Sequence, residues 1–295
     1  METADSLCLL SCAGYRVFWF VSIKEAAFPL QDVLAYETYF FDLDGTIFIG
    51  DLLLPGVRQT LQYLREQGKQ VLFLSNTTIR TREECRNRLR QLGLEAHTDE
   101  VVTAASVSAV YFREMPGRPK VLVIGEQALQ DEMAGGHTVL TDDPVEATHV
   151  LVGMDREFTY EKLHRAMKAV RAGALLIAAN PDPNCPVVGD LIPDTWAMVK
   201  AIEAASCGTV QEIIGKPSAY YAEKVLEQSG TKRENCLMVG DRMDTDIRFG
   251  LSHGISTALV LTGVTAREDL EQYSIRPDHI WTSMAEMLQG LSPLS

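Results

Sequence analysis

Positive charge is scarce in this chain: 27 Lys and Arg stand against 40 Asp and Glu, a formal net charge of -13 over 295 residues. That balance argues against broad electrostatic adhesion to nucleic acid or to an anionic membrane. A small anionic substrate stays open, because a local cation or a metal reverses the field inside a cleft. Closely spaced metal-ligand pairs are also missing. The six cysteines, at positions 8, 12, 85, 185, 207 and 236, form no CxxC pair, and the six histidines show no HExxH spacing. Scattered thiols of this kind suit a reducing, cytoplasmic setting and not a disulfide framework. A zinc site is disfavoured on the same grounds.

No clean apolar run reaches the roughly 20 residues that a membrane span requires. Leu7 to Ile23 comes nearest, but Arg16 interrupts it, and the leading METADS lacks the basic start of a signal peptide. Leu9-Leu10-Ser11-Cys12 has the outline of a lipoprotein box behind too short an apolar run. We read residues 1–35 as a loosely attached N-terminal extension, non-native or disordered, in preference to a membrane anchor.

What the chain does contain is ordinary for a globular protein: 46% apolar and 23% charged residues, in a length that suits one or two domains. The stretch around which it is organised is Tyr39 to Thr46, YFFDLDGT. Three large apolar residues run into Asp42-Leu43-Asp44-Gly45-Thr46, the pattern of a buried strand ending at a glycine turn. Carboxylates at i and i+2 project from one side of an extended strand. Two like charges at the mouth of an apolar strand are costly unless a cation or a reaction uses them. The bland alternative is a turn that takes Asp and Gly for backbone geometry.

The rest of the chain supplies partners. A helix with Val57, Leu61 and Leu64 on one face precedes Gly68, and the strand Val71 to Leu74 then ends at Ser75-Asn76. Thr81 to Glu84 has the form of a capping box opening a helix toward Gly93. Strand-like segments at Lys120 to Gly125, Thr148 to Met154 and Ala174 to Ala179 alternate with helical ones, one of them from Tyr160 to about Ala172. A proline-rich loop, Asn180 to Pro186, follows, then a helix carrying Trp196, Val199, Lys200 and Glu203. The third section opens with a short strand, Glu212 to Gly215, ending at Lys216. A helix from Ser218 to Gln228 and strands at Cys236 to Gly240 and Thr257 to Leu261 follow, with Asp241 to Asp246 after the first of these. This alternation predicts an α/β protein with a parallel sheet covered by helices. In such sheets ligands bind outside the carboxyl ends of the strands.

Those ends offer Asp42 and Asp44, Ser75, Lys216 and the Asp241 to Asp246 cluster. Carboxylates, a hydroxyl and a lysine suit phosphoryl transfer assisted by magnesium. A carboxylate can attack phosphorus, hard oxygen ligands suit Mg2+, and a lysine offsets charge on the phosphoryl oxygens. The set resembles the haloacid dehalogenase superfamily of phosphatases. Asp42-Leu43-Asp44-Gly45-Thr46 matches its DxDGT motif, Ser75-Asn76 its second, Lys216 its third, and Gly240-Asp241 with Asp246 its fourth. All four occur in the family's order over about residues 36 to 290. The long insert between the second and third motifs is similar to the large cap of the p-nitrophenylphosphatase and sugar-phosphatase branch, which includes chronophin. Ala179-Asn180-Pro181-Asp182, Ile214 to Ser218 and Gly240 to Asp246 carry that likeness.

The resemblance implies a doubly wound, Rossmann-like core at residues 36–105 and 208–295, with residues 106–207 inserted as an α/β cap. It implies Asp42 as nucleophile and metal ligand, Asp44 as general acid and base, and Asp241 as a further ligand. By the same resemblance, the backbone carbonyl of Asp44 would complete the protein ligands of Mg2+. Ser75 and Asn76 would hold phosphate, Lys216 would neutralise it and Asp42, and Thr46 and Asp246 would support the site. Asn180 and Asp182, on a cap loop facing the site, would contact substrate. Implied with these are a small phosphorylated metabolite, sugar phosphates first, p-nitrophenyl phosphate as an artificial substrate, dimer contacts through the cap, and cap motion with hinges near Ala104 to Ser106 and Cys207 to Val210. True dehalogenases lack the second acid, so Asp44 favours phosphate esters.

Blander readings stand beside these. Ser75 could simply cap a helix, Asn180 and Asp182 could be turn residues, and Arg242 is as much a surface residue as a substrate contact. Asp244 is expected as an N-terminal helix acid. The competing function is a phosphate-sensing module without turnover, receiver-like or a degenerate family member. Receivers are less than half this length, however, and have no use for an acid two residues beyond the nucleophile.

Overall fold

Apolar residues on successive positions of β1 (Thr38–Asp42) make it a strand buried on both faces: Tyr39 and Phe41 enter one buried cluster and Phe40 another. The computed structural model describes residues 30–134, 138–187 and 190–291. Residues 1–29 of the expected extension lie outside these. Its last residues differ from expectation, because Leu30–Ala35 form a 3-10 turn docked on the core. Val33 is buried there and accepts a hydrogen bond from Tyr39 Oη, while Lys69 Nζ donates to Leu34 O at 2.7 Å.

After β1 comes a small antiparallel pair, β2 (Phe48–Ile49) and β3 (Leu52–Leu53), then α1 (Val57–Glu66), β4 (Gln70–Ser75), α2 (Arg82–Gln91) and β5 (Val101–Thr103). Val57, Leu61 and Leu64 form the buried face of α1. Thr81 and Glu84 close the expected capping box on α2. Next in order are α3 (Ala104–Glu114), β6 (Lys120–Ile124), α4 (Gln127–Met133), β7 (Val139–Leu140), β8 (His149–Val152), α5 (Tyr160–Arg171), β9 (Leu175–Ala178), β10 (Asn184–Val187), β11 (Asp190–Pro193), α6 (Thr195–Ser206) and β12 (Val210–Ile213). The chain finishes with α7 (Ala219–Ser229), β13 (Cys236–Gly240), α8 (Arg248–His253), β14 (Ser256–Val260), β15 (His279–Trp281) and α9 (Met284–Leu291).

Two parallel sheets result. The first has the order β15-β14-β13-β1-β4-β5, with β1 central, and the second β12-β9-β8-β6-β7. In the first, the chain leaves β1 on one side for β4 and β5 and returns on the other at β13. That reversal creates a crevice at the carboxyl end of β1.

The second sheet has its own core on one face only, where Leu122, Val150 and Leu176 meet Ala166, Val199 and Ile202 of α5 and α6. Its other face, with Val121, Leu151 and Ile177, belongs to a buried cluster that also holds Phe40, Leu72 and Leu74 of the first sheet. Phe112 of α3 and Tyr221 of α7 lie in the same cluster. Ala104 to Ser106, where a hinge was expected, form the buried first turn of α3, capped by the Thr103 side chain.

Two expectations change. β12, read as the opening strand of the returning core, pairs with β9 at the edge of the second sheet, and Gly215 N continues that contact to Ala179 O at 2.8 Å. Hydropathy marks a buried strand without saying which sheet receives it. The Asn180 to Pro186 loop gives part of its length to the β10–β11 ribbon, which pairs Asn184 with Pro193 and Cys185 with Ile192. Pro186 and Pro193 read as strand breakers, but a two-stranded ribbon leaves outer positions where no N–H is needed.

Candidate active site

The crevice is built from strand ends, as the pattern predicts. Asp42 ends β1, Ser75 ends β4, and Asp241 follows β13. Lys216 lies three residues beyond β12 and is 1% exposed, its Nζ 2.6 Å from Asp42 Oδ1 and 2.7 Å from Asp246 Oδ1. Burial opposes the ammonium charge, but Asp246 and Asp42 outweigh it and raise the lysine pKa. Asp246 points inward because Met243–Ile247 is a π-helical turn, in which Ile247 N donates to Arg242 O at 3.1 Å. Wide turns of this kind recur where a side chain must be re-aimed. Asp244 faces solvent instead and pairs with Arg248 at 3.1 Å.

Three carboxylates, Asp42, Asp241 and Asp246, bring one oxygen each within 4.8 Å of the others. Burial pushes Asp42 well above the usual carboxylate range; Lys216 pulls it back, and Asp246 and Asp241 push it further. Asp241 is driven up to about 7 by burial and then by Asp246, against the hydrogen bond it accepts from Val264 N. Such crowding is costly unless a cation reverses it.

The fit to a cation is visible at Asp241. Its Oδ1 is buried without a hydrogen-bond partner among the described residues, while Oδ2 accepts from Val264 N at 2.6 Å. The carboxylate is clasped so closely that a Cβ on Gly45 or Gly263 would collide with it. Both oxygens of Asp246 are engaged, one by Lys216 and one by Arg242 N. Asp42 and Asp241 therefore have the free capacity, and an all-oxygen set suits a hard divalent ion.

A polar chain links core to insert. Asn76 receives Lys216 N at its Oδ1 (2.8 Å) and donates from Nδ2 to Asp182 Oδ2 (3.0 Å) and Lys216 O (3.1 Å). Asn180 Nδ2 donates to Asn76 O at 2.7 Å, and Asn180 Oδ1 accepts from Asp182 N at 2.9 Å. Asp182 is pushed up to about 6 by burial, with Arg242 acting against the rise. The structure thus brings Asp42, Asp44, Ser75, Asn76, Asp182 and Lys216 to one cavity of about 300 Å³. Asn180 and Asp246 stand behind it. Ser75 Oγ also accepts from Thr77 N at 3.1 Å, but it caps no helix: the following one, α2, is capped by Thr81. Thr46 is fully buried, its hydroxyl without a partner among the described residues.

A family model described as haloacid dehalogenase-like hydrolase matches residues 39–137, and a second, HAD-hydrolase-like, matches 213–287. The sugar-phosphatase AraL of Bacillus subtilis is 33% identical over 246 residues, 83% of this chain and 90% of the relative. The chain belongs to the haloacid dehalogenase-like hydrolases. An acid sugar phosphatase of Staphylococcus aureus is likewise 33% identical, over 87% of this chain and 98% of its own. Among solved structures, the 4-nitrophenylphosphatase of Thermotoga maritima superposes with a TM-score of 0.84 at 32% identity, covering 88% of this chain and 99% of that one. The fold is accordingly the doubly wound hydrolase core with a cap domain.

Several residues of this hydrolase's cavity were not singled out from sequence. Arg80 and Arg88 line it beside Asp44, which burial pushes up while Arg88 and Arg80 pull it down. Met154 and Arg156, from the loop after β8, line the cavity too. Buried Thr78 ties that loop to the core, accepting from Met154 N at 2.8 Å. The available signal was position: two arginines follow Ser75 by 5 and 13 residues. Arg242, left open between surface and site, lines the cavity with a side chain 18% exposed.

Proposed function

We propose that this hydrolase of phosphoric monoesters releases phosphate from small phosphorylated metabolites, sugar phosphates above all, through an aspartyl-phosphate and with magnesium as cofactor. The observation that carries the reading is the meeting of Asp42, Lys216, Asp246 and Asp241 at the carboxyl ends of β1 and β13, with Asp44 two residues further on. The relatives' names, sugar phosphatases and a 4-nitrophenylphosphatase, support the substrate class.

Asp42 would attack phosphorus, forming its own O–P bond as the ester O–P bond breaks. Asp44, whose pKa burial raises, would give its proton to the departing alkoxide. The resulting carboxylate would then take a proton from the water that attacks phosphorus and releases Asp42. Lys216, held by Asp246, keeps a fixed positive charge against Asp42 and the phosphoryl oxygens. Ser75 and Asn76 would orient those oxygens. Asp42, Asp241 and the backbone carbonyl of Asp44 would hold Mg2+, which when bound neutralises the crowded carboxylates and the phosphate.

The test is hydrolysis of p-nitrophenyl phosphate and a sugar-phosphate panel, with and without magnesium, by wild type and Asp42→Asn. Magnesium-dependent turnover that falls at least about a thousandfold in the variant is expected for loss of a nucleophile. Undiminished turnover in Asp42→Asn would rule out the covalent route.

A further inference from the structure

Five cationic side chains line the cavity: Lys216, Arg242, Arg156, Arg88 and Arg80. Four have protein partners. Lys216 sits between Asp42 and Asp246. Arg242 Nη2 donates to Asn184 O at 3.3 Å, and its Nη1 stands 3.9 Å from Asp182. Arg156 grips Glu126 through Nε and Nη2, both at 2.7 Å. Arg88 Nη2 donates to Gly50 O at 2.6 Å, and its guanidinium lies 4.4 Å over the Phe48 ring. Arg80, only partly exposed, makes no hydrogen bond or ion pair with any described residue. Its guanidinium donors are therefore open to an anion that enters the cavity.

The loop that carries Arg80 is fastened on both sides. Ser75 Oγ accepts from Thr77 N, Thr78 Oγ1 accepts from Met154 N, and Thr81 begins the capping box of α2. An arginine on so restrained a loop loses little freedom on meeting a ligand. Its position also gives it a side. Lys216 faces the nucleophile Asp42, whereas Arg80 and Arg88 share the cavity lining with Asp44. Asp44 would protonate the leaving oxygen, so the departing alcohol would occupy the cavity that these arginines line.

We infer that Arg80 anchors a second anion subsite, and that the substrate carries a carboxylate or a second phosphate on its leaving-group side. Either group accepts the paired N–H donors of a guanidinium. The inference rests on the phosphatase reading for the placement of the leaving group, and its test is separable from turnover.

Affinity is measured calorimetrically in Asp42→Asn with magnesium present, which removes hydrolysis. One matched pair is glycerol 3-phosphate and 3-phosphoglycerate, where a hydroxymethyl becomes a carboxylate. The other is fructose 6-phosphate and fructose 1,6-bisphosphate. With Arg80 present, the two-anion member of at least one pair should bind about tenfold tighter or more, and the pair that responds identifies the anion. Adding Arg80→Gln should reduce that preference to within about threefold, with partial recovery in Arg80→Lys, which keeps charge without the fork. Equal affinity within both pairs, a preference that survives Arg80→Gln, or no measurable binding of either two-anion probe overturns the inference. Absence of magnesium-dependent turnover in wild type would instead sink the phosphatase reading and leave the affinity ratios legible.

Discussion

Desolvation raises the pKa of both half-buried Asp44 and buried Asp182, and the two ask for different measurements. Asp44 should matter in proportion to the leaving group's need for a proton. Asp44→Asn should slow sugar-phosphate hydrolysis by about a hundredfold or more, and p-nitrophenyl phosphate hydrolysis much less, because nitrophenolate departs without help. Equal losses on both would make Asp44 a structural residue. At Asp182 the pKa is about 6 against an ordinary 3.8, raised by burial. Folding therefore takes up a proton here between about pH 4 and 6. The penalty on the folded state is absent below the lower value and complete above the upper one. Asp182→Asn lifts it, so wild type should lose up to about 3 kcal/mol relative to the variant between pH 4 and 7. Urea midpoints at each pH would read this, and a pH-independent difference would contradict it.

At the scale of elements, α2 illustrates what sequence states openly. Thr81 N donates to Glu84 Oε2 at 2.7 Å and Glu84 N to Thr81 Oγ1 at 3.2 Å, the reciprocal pair that the spacing announces. Thr81→Ala should cost about 1 kcal/mol in chemical denaturation, with little change if the cap contributes nothing. The strands β1, β4 and β13 were equally plain, since an apolar run ending in Asp, Ser or Gly-Asp has few other uses. Three features were not. The sheet that receives β12 depends on pairing with β9, a distant partner that hydropathy does not name. The β10–β11 ribbon was masked by Pro186 and Pro193. The wide turn that sends Asp246 to Lys216 and leaves Asp244 in solvent is a one-residue matter of helical phase. Arg80 escaped notice because an arginine in a polar loop becomes informative only when its neighbours' partners are known.

At the scale of the molecule, the buried cluster spanning both sheets couples their stabilities. Phe112, fully buried, lies in it with Phe40 and Leu72 of the first sheet and Leu151 and Ile177 of the second. Replacing a buried phenylalanine by alanine typically costs about 3–5 kcal/mol. If the cluster binds the sheets into one cooperative unit, Trp281 in β15 and Trp196 in α6 should report the same unfolding midpoint, and Phe112→Ala should lower both together. Separate midpoints, as measured in Trp196→Phe and Trp281→Phe, would show two independently melting units. The same cluster limits modularity. A graft that exchanged only the second sheet and its two outer helices would take Val121, Leu151 and Ile177 out of that shared cluster, turning a core face into an adhesive surface. The transplantable piece of this enzyme is larger than its cap: it includes the inward faces of α3 and α7, so a recombined chimera should stay soluble only when those faces travel with the sheet they were fitted to.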